Sequence, residues 1–196
     1  MRIITGSARN TILQTLDGLA TRPTAERVKE AVFSALQPQI ENAYFLDLFS
    51  GSGQMGLEAL SRGAAQAVLI DASPEAIAVI RANARKTRLE DRCRILRSGY
   101  ETYLASFAAS GCRPFDIIYI DPPFTEHMHG AVLRALAHSG AADDRTRILI
   151  ESESPDLFAD DPAVQPLFEV TKTAKYGRIY ITHLRLKQET GGAVHE

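Results

Sequence analysis

The sequence predicts an α/β fold: a mostly parallel, seven-stranded sheet covered by helices, with an antiparallel hairpin at its C-terminal edge and an N-terminal extension. Three observations carry this reading. Short β-rich runs alternate with helical ones through the middle of the chain, the pattern of consecutive β-α-β units. A glycine-rich turn, Gly51-Ser-Gly53-Gln-Met-Gly56, follows directly on an apolar run, where a strand must turn sharply into a helix. The last apolar segments alternate with a period of two instead, as antiparallel strands with one wetted face do. With 196 residues, 45% of them apolar and 23% charged, the chain suits one domain with a sizeable core and is unlike a disordered or low-complexity polymer.

Residues 1–40 are read as an extension docked on an α/β domain of residues 41–187, with a frayed tail at 188–196. In the extension, residues 2–5 and 11–15 pair as a small hairpin. Residues 24–36 place Val28, Ala31, Val32 and Leu36 at helical spacing, with Thr24 as the N-cap. The first strand of the domain is 43–49 (AYFLDLF), followed by a helix at 54–62; the second strand is 67–71 (AVLID). Pro74–Thr87 sets Ile77, Val79 and Ile80 against Arg81, Arg85 and Lys86, an amphipathic helix capped by Ser73 with Pro74 at its first position. Cys93–Arg97 is the third strand, 100–109 a helix that packs Tyr100 and Tyr103 on the sheet, and 115–121 (FDIIYID) the fourth strand. A helix at 129–138 leads to the fifth strand, 147–151 (RILIE). Residues 167–174 and 178–186 flank Tyr176-Gly177 as the closing hairpin.

No run approaches the roughly 18 consecutive apolar residues of a membrane span, and the start, MRIITGSARN, lacks the apolar core of a secretory signal. A cytoplasmic protein without a membrane partner is expected. Cys93 and Cys112, with no CxxC pair, are expected to be reduced structural thiols, and His127 and His129 lack the third clustered ligand that a metal site needs. The net charge of −2 hides an uneven distribution: residues 81–97 hold seven basic and two acidic side chains, 172–187 five basic and none acidic, and 151–169 six acidic and none basic. The basic segments favour a polyanionic partner.

The chemistry begins at the glycine turn. Glycines there let a ligand approach the backbone beneath a helix N-terminus. Asp71, twenty residues past Gly51 at the end of the second strand, is placed to accept hydrogen bonds from ribose hydroxyls, so a nucleoside cofactor is favoured. Asp47, four residues before the first glycine, argues against a dinucleotide, whose pyrophosphate needs the helix dipole without a carboxylate nearby. It suits S-adenosylmethionine, whose sulfonium and ammonium are cationic. The same carboxylate has a purely local use, capping loop amides.

Asp121-Pro122-Pro123-Phe124 closes the fourth strand. Two prolines stiffen the backbone and remove two N–H donors, leaving carbonyls and a carboxylate to face a pocket. An exocyclic amino group needs such acceptors while its lone pair turns towards a methyl group, and Phe124 offers a face on which a planar base stacks.

Asp47-Leu-Phe-Ser-Gly-Ser-Gly53, Asp71 and Asp121-Pro-Pro-Phe124 resemble the motifs of class I S-adenosylmethionine-dependent methyltransferases of the amino-group type, which have a Rossmann-like fold. Thr21-Arg-Pro-Thr-Ala-Glu-Arg-Val-Lys-Glu-Ala-Val-Phe33, Gly56-Leu-Glu-Ala-Leu-Ser-Arg-Gly-Ala64 and Lys175-Tyr-Gly177 further resemble the bacterial 16S ribosomal RNA guanine-N2 methyltransferase family of the RsmD type, over nearly the whole chain. The resemblance implies methyl transfer to the N2 amino group of a specific guanine in 16S rRNA, of the guanine-966 type. The substrate would be naked RNA or a partly assembled small ribosomal subunit, and the enzyme a monomer. It also implies roles. Gly51, Ser52 and Gly53, with Asp47 and Ser50 of the same motif, would line the methionine part of the cofactor; Asp71 would hold the ribose, Ala72 would border the adenine, and Arg22 and Thr24 would close over the carboxylate end. Asp121 and the Pro122 carbonyl would hold the guanine amino group, with Phe124 stacked on the base. The chain departs from the family after the third strand, where Gly99 stands in place of a common acidic residue; the Gly99 backbone or the Ser98 hydroxyl would supply the adenine contact. Arg9, Arg22, Arg27, Lys29, Lys172, Lys175 and Arg178 would surround the RNA mouth. Asp-Pro-Pro-aromatic also serves adenine-N6 and cytosine-N4 methyltransferases, and a nucleotide-sensing RNA-binding module without catalysis is the alternative from another class.

Overall fold

The computed structural model describes residues 1–16, 23–123 and 128–188. Arg22, Phe124, His127 and residues 189–196 lie outside these, as does the side chain of Thr24. The strands are β1 (Tyr44–Asp47), β2 (Gln66–Asp71), β3 (Cys93–Arg97), β4 (Ile117–Ile120), β5 (Arg147–Ser152), β6 (Phe168–Tyr176) and β7 (Ile179–Leu186), and they form one sheet in the order β3-β2-β1-β4-β5-β7-β6. The first five run parallel, with Phe45 opposite both Ala67 and Ile117, while β7 lies antiparallel between β5 and β6.

Burial explains the strand compositions. All four residues of β4 are buried, so this central strand reads as a continuous apolar run, whereas β6 at the sheet edge is largely exposed. The helices α1 (Pro23–Leu36), α2 (Gln54–Ser61) and α3 (Pro74–Thr87) cover one face, packing Phe33, Leu57 and Ile80 on Phe45, Leu69 and Ile117. On the other face α4 (Tyr100–Ala108) and α5 (His129–Ala137) pack Phe107 and Leu133 on Leu46, Ile70 and Ile118. Ser73 caps α3 by accepting the Ala76 amide at 3.1 Å, as its sequence predicts.

The extension differs from its sequence reading in two places. Helix α1 begins at Pro23, so Thr24 lies inside it and is not the N-cap; proline suits a first helical position because no intrahelical acceptor awaits its missing N–H. The hairpin pairs residues 1–3 with 10–13, shorter than its sequence reading: Arg2 and Ile12 form the bridge, flanked by Ile3 donating to the Thr11 carbonyl at 3.0 Å, Asn10 to Ile3 at 2.9 Å and Leu13 to Met1 at 2.9 Å, while the Asn83 side chain holds the backbone of Gln14 at 2.8 Å through its N–H and 3.0 Å through its carbonyl. A buried carboxylate ties the extension to α2. Glu58 accepts the Ile4 and Thr5 amides at 2.7 and 3.0 Å, and pairs with Arg62 at 2.7 Å and Lys29 at 3.5 Å. Lys29 is only 1% exposed and donates to the Arg2 carbonyl, so the expectation that it meets RNA is overturned: its charge is spent inside the extension. At the other end, Gln188 donates to the Asp144 carboxylate.

Candidate active site

The strand order reverses between β1 and β4, and the crevice outside their carboxyl ends is where open α/β sheets bind ligands. Both sequence motifs open there. The glycine turn leaves β1, and Leu48 keeps it in contact with β4 by donating to the Tyr119 carbonyl at 3.0 Å. Ser50 staples the turn to β2: its hydroxyl donates to the Asp47 carbonyl at 2.8 Å and accepts the Ile70 amide at 2.9 Å. Gly51 and Gly53 take positive φ values of 53° and 78°, which a side chain would resist. A Cβ on Gly56 would stand 2.9 Å from Leu69, so α2 needs this glycine to lie close on β2, whereas above Gly51 and Gly99 the space is open.

The acidic residues divide into two roles. Asp47 is 1% exposed beneath the turn, and its Oδ2 accepts the Gly56 amide at 3.1 Å; burial lifts its pKa to about 7 against that bond. Its position is the local one, holding the start of α2, with the crevice above it. Asp71 is half-buried at the crevice wall. Its two oxygens accept the Gly51 amide at 2.8 Å and the Ser73 amide at 2.9 Å, linking the glycine turn to the β2–α3 turn and retaining lone pairs for a ligand. Beside it, Ser98 donates its amide to the Asp71 carbonyl at 3.0 Å, and Ala72 and Gly99 are exposed. Asp71, Ala72, Ser98 and Gly99 thus form one wall.

At the end of β4, Asp121 is half-buried and Pro122 buried. Burial, then Glu151 and Asp47, push the Asp121 carboxyl well above the usual carboxylate range. Glu151 stands at the end of β5, where the buried Tyr119 hydroxyl donates to its Oε1 and the His129 ring nitrogen Nε2 lies 3.1 Å from its main-chain oxygen. Burial also raises the Glu151 carboxyl, while the Tyr119 bond works against that rise. Among the described residues no lysine or arginine forms an ion pair with Asp47, Asp121 or Glu151. A pocket of carboxyl groups lacking a cation receives N–H donors or a positive charge and repels phosphate.

Three groups here escaped the sequence reading. Glu151 belonged there only to an acidic stretch and Tyr119 to an apolar run. Asn83 likewise, within an amphipathic helix, is fully buried and donates to the Ser52 carbonyl at 2.9 Å while gripping Gln14, so one side chain joins the glycine turn to the extension. A poor helix former inside a strongly amphipathic pattern is the signal that marks it. Ser52 is buried, its hydroxyl 3.6 Å from the Met1 sulfur. Of the basic residues, Arg9, Arg27, Lys172, Lys175 and Arg178 are exposed, and α1 lies against β6, which brings the extension and the hairpin together.

Residues 1–185 match the family described as conserved hypothetical protein 95. The chain is 36% identical over 163 residues to ribosomal RNA small subunit methyltransferase D of Escherichia coli K12, covering 83% of this chain and 80% of that protein. It is 28% identical over 167 residues to the protein of the same name from Haemophilus influenzae, covering 85% and 83%. The solved structure of yhhF from Escherichia coli superposes with a TM-score of 0.80 at 31% identity, covering 95% of this chain and 98% of that one.

Proposed function

The chain belongs to the family of ribosomal RNA small subunit methyltransferase D, and from this membership and the carboxyl-end pocket we propose that it transfers a methyl group from S-adenosylmethionine to the N2 amino group of a guanine in 16S rRNA. The observation that carries the reading is the Asp121-Pro122 turn beside the glycine turn at the reversal of strand order, with carboxyl groups around it and, among the described residues, no cation paired to them. The cofactor supplies an electrophilic methyl group on a cationic sulfur.

The residues present fit that group. The space above Gly51 admits a ligand against the backbone, Asp71 accepts hydroxyl protons, and the acidic surroundings favour a sulfonium and disfavour a pyrophosphate. Asp121 and the Pro122 carbonyl accept the N–H bonds of the amino group, so its lone pair turns to the methyl carbon. On accepting the methyl group the amino nitrogen would become positively charged and would have to lose a proton. A carboxylate whose pKa is raised by burial is a stronger acceptor of that proton than a solvated one. Holding both reactants in line supplies much of the acceleration. A paired guanine hides its amino group, so the base enters unpaired or flipped. The exposed Arg9, Arg27, Lys172, Lys175 and Arg178 would hold the surrounding phosphates.

Mapping modified nucleosides in 16S rRNA from cells with and without the protein tests the reading. Loss of one N2-methylguanine supports it. Loss of an N6-methyladenine or N4-methylcytosine, or no loss, overturns it.

A further inference from the structure

Resting on the guanine reading above, we propose that Glu151 is the residue that selects guanine, accepting the N1–H of the target base while Asp121 holds its amino group. Strand register places the two acids side by side: Ile120 and Ile150 are paired across β4 and β5, and Asp121 and Glu151 follow them. Both are half-buried at the carboxyl edge of the sheet, where the crevice lies. The Tyr119 hydroxyl donates its only proton to Glu151 Oε1, which works against the rise that burial gives this carboxyl and fixes its orientation; among the described residues Oε2 has no donor and is left to accept from a ligand.

The chemistry of the three amino-bearing bases gives this arrangement its meaning. An Asp-Pro-Pro turn accepts from the amino group of guanine, adenine or cytosine alike. The ring position next to that amino group differs. In guanine it is N1–H, a donor, whereas in adenine it is N1 and in cytosine N3, each a lone pair. A carboxylate beside Asp121 therefore completes a two-donor edge for guanine and opposes a lone pair for the other two. A site built to accept a hydrogen bond rejects a ligand without the donor, because its own buried group is left unpaired. Adenine and cytosine are excluded by repulsion as much as guanine is chosen by attraction.

The test uses 2-aminopurine, which keeps the amino group at C2 but carries a lone pair at N1. Small subunits are reconstituted with 16S rRNA containing guanine or 2-aminopurine at the nucleotide located by the mapping above. Wild-type protein is expected to favour guanine in kcat/KM by roughly 10- to 100-fold, the discrimination of a good two-point base contact. Glu151→Gln, whose amide presents a donor to N1, is expected to narrow that ratio by at least about fivefold; loss of O6 in the analogue weighs equally on both proteins and cancels in the comparison. Tyr119→Phe, the milder variant, is expected to narrow it in the same direction. Equal kcat/KM of wild-type protein for the two bases overturns the proposal without need of any variant. Guanine methylation with a ratio unchanged in Glu151→Gln overturns the role of Glu151 alone. If wild-type protein methylates no guanine, the substrate reading fails and this inference with it.

Discussion

Replacing Glu58 by Ala is expected to detach the extension from the sheet. The groups bound to this carboxylate set the size of the effect. Lys29, 1% exposed, would keep only the Arg2 carbonyl and lose its counter-charge at 3.5 Å. Breaking a buried pair from one side costs about 3–5 kcal/mol. The amides of half-buried Ile4 and exposed Thr5 would lose their acceptor, at about 1 kcal/mol for the first and less for the second, which water reaches. Burial already pushes the Lys29 pKa down, and without Glu58 it falls further, so deprotonation limits the penalty. A total loss of about 4–6 kcal/mol follows, large against the ~5–15 kcal/mol of an ordinary domain. Urea denaturation read by circular dichroism measures it, and hydrogen exchange at the Ile3, Ile4, Thr5 and Leu13 amides locates it. Adding Lys29→Met to Glu58→Gln removes the stranded cation and is expected to restore part of the stability lost by Glu58→Gln alone. A Glu58→Ala loss under about 2 kcal/mol, or no effect of Lys29→Met in the Glu58→Gln background, would refute the buried pair as the anchor.

Three further outcomes follow from the same geometry. Asp121→Ala removes the acceptor proposed to hold the reacting amino group, so single-turnover methylation should fall by roughly 10²–10⁴-fold while calorimetry shows S-adenosylmethionine binding little changed; near-normal methylation would make Asp121 structural only. Replacing Lys172, Lys175 and Arg178 together by Ala should weaken RNA binding and flatten the plot of log affinity against log salt by about 0.7 to 0.9 for each phosphate no longer neutralised, and an unchanged slope would move the RNA face elsewhere. His183 is 3% exposed, its Nδ1 without a partner among the described residues, and burial with Arg147 and Lys172 lowers its pKa to about 4. Because the unfolded chain binds the proton near pH 6.5 and the folded chain does not, stability is complete above that pH and falls as pH drops towards 4. His183→Leu should flatten this acid loss in denaturation at pH 5 against pH 7.5, and parallel curves for the two proteins would show that His183 is protonated without penalty.

The sequence by itself determined the layers and their order of elements. Apolar runs of four to six residues, a proline behind a serine at α3 and glycines behind β1 are local signals, and each acts on its own stretch of backbone. The same locality made Asp71 and Asp121 legible, since each ends a strand that announces itself. What the tertiary structure decided is everything settled between distant residues. Lys29 reads as a cation at the RNA mouth until Glu58, far along the chain, meets it in the interior. Asp47 reads either as a cofactor ligand or as a cap for loop amides, and the fold gives one of its oxygens to the Gly56 amide. Asn83 becomes a clamp only because Gln14 and Ser52 converge on it, and Glu151 becomes a neighbour of Asp121 only through the register of β4 on β5. Hydrogen-bond partners and burial depend on which strands lie side by side, and that adjacency is a property of the sheet, carried by no single segment.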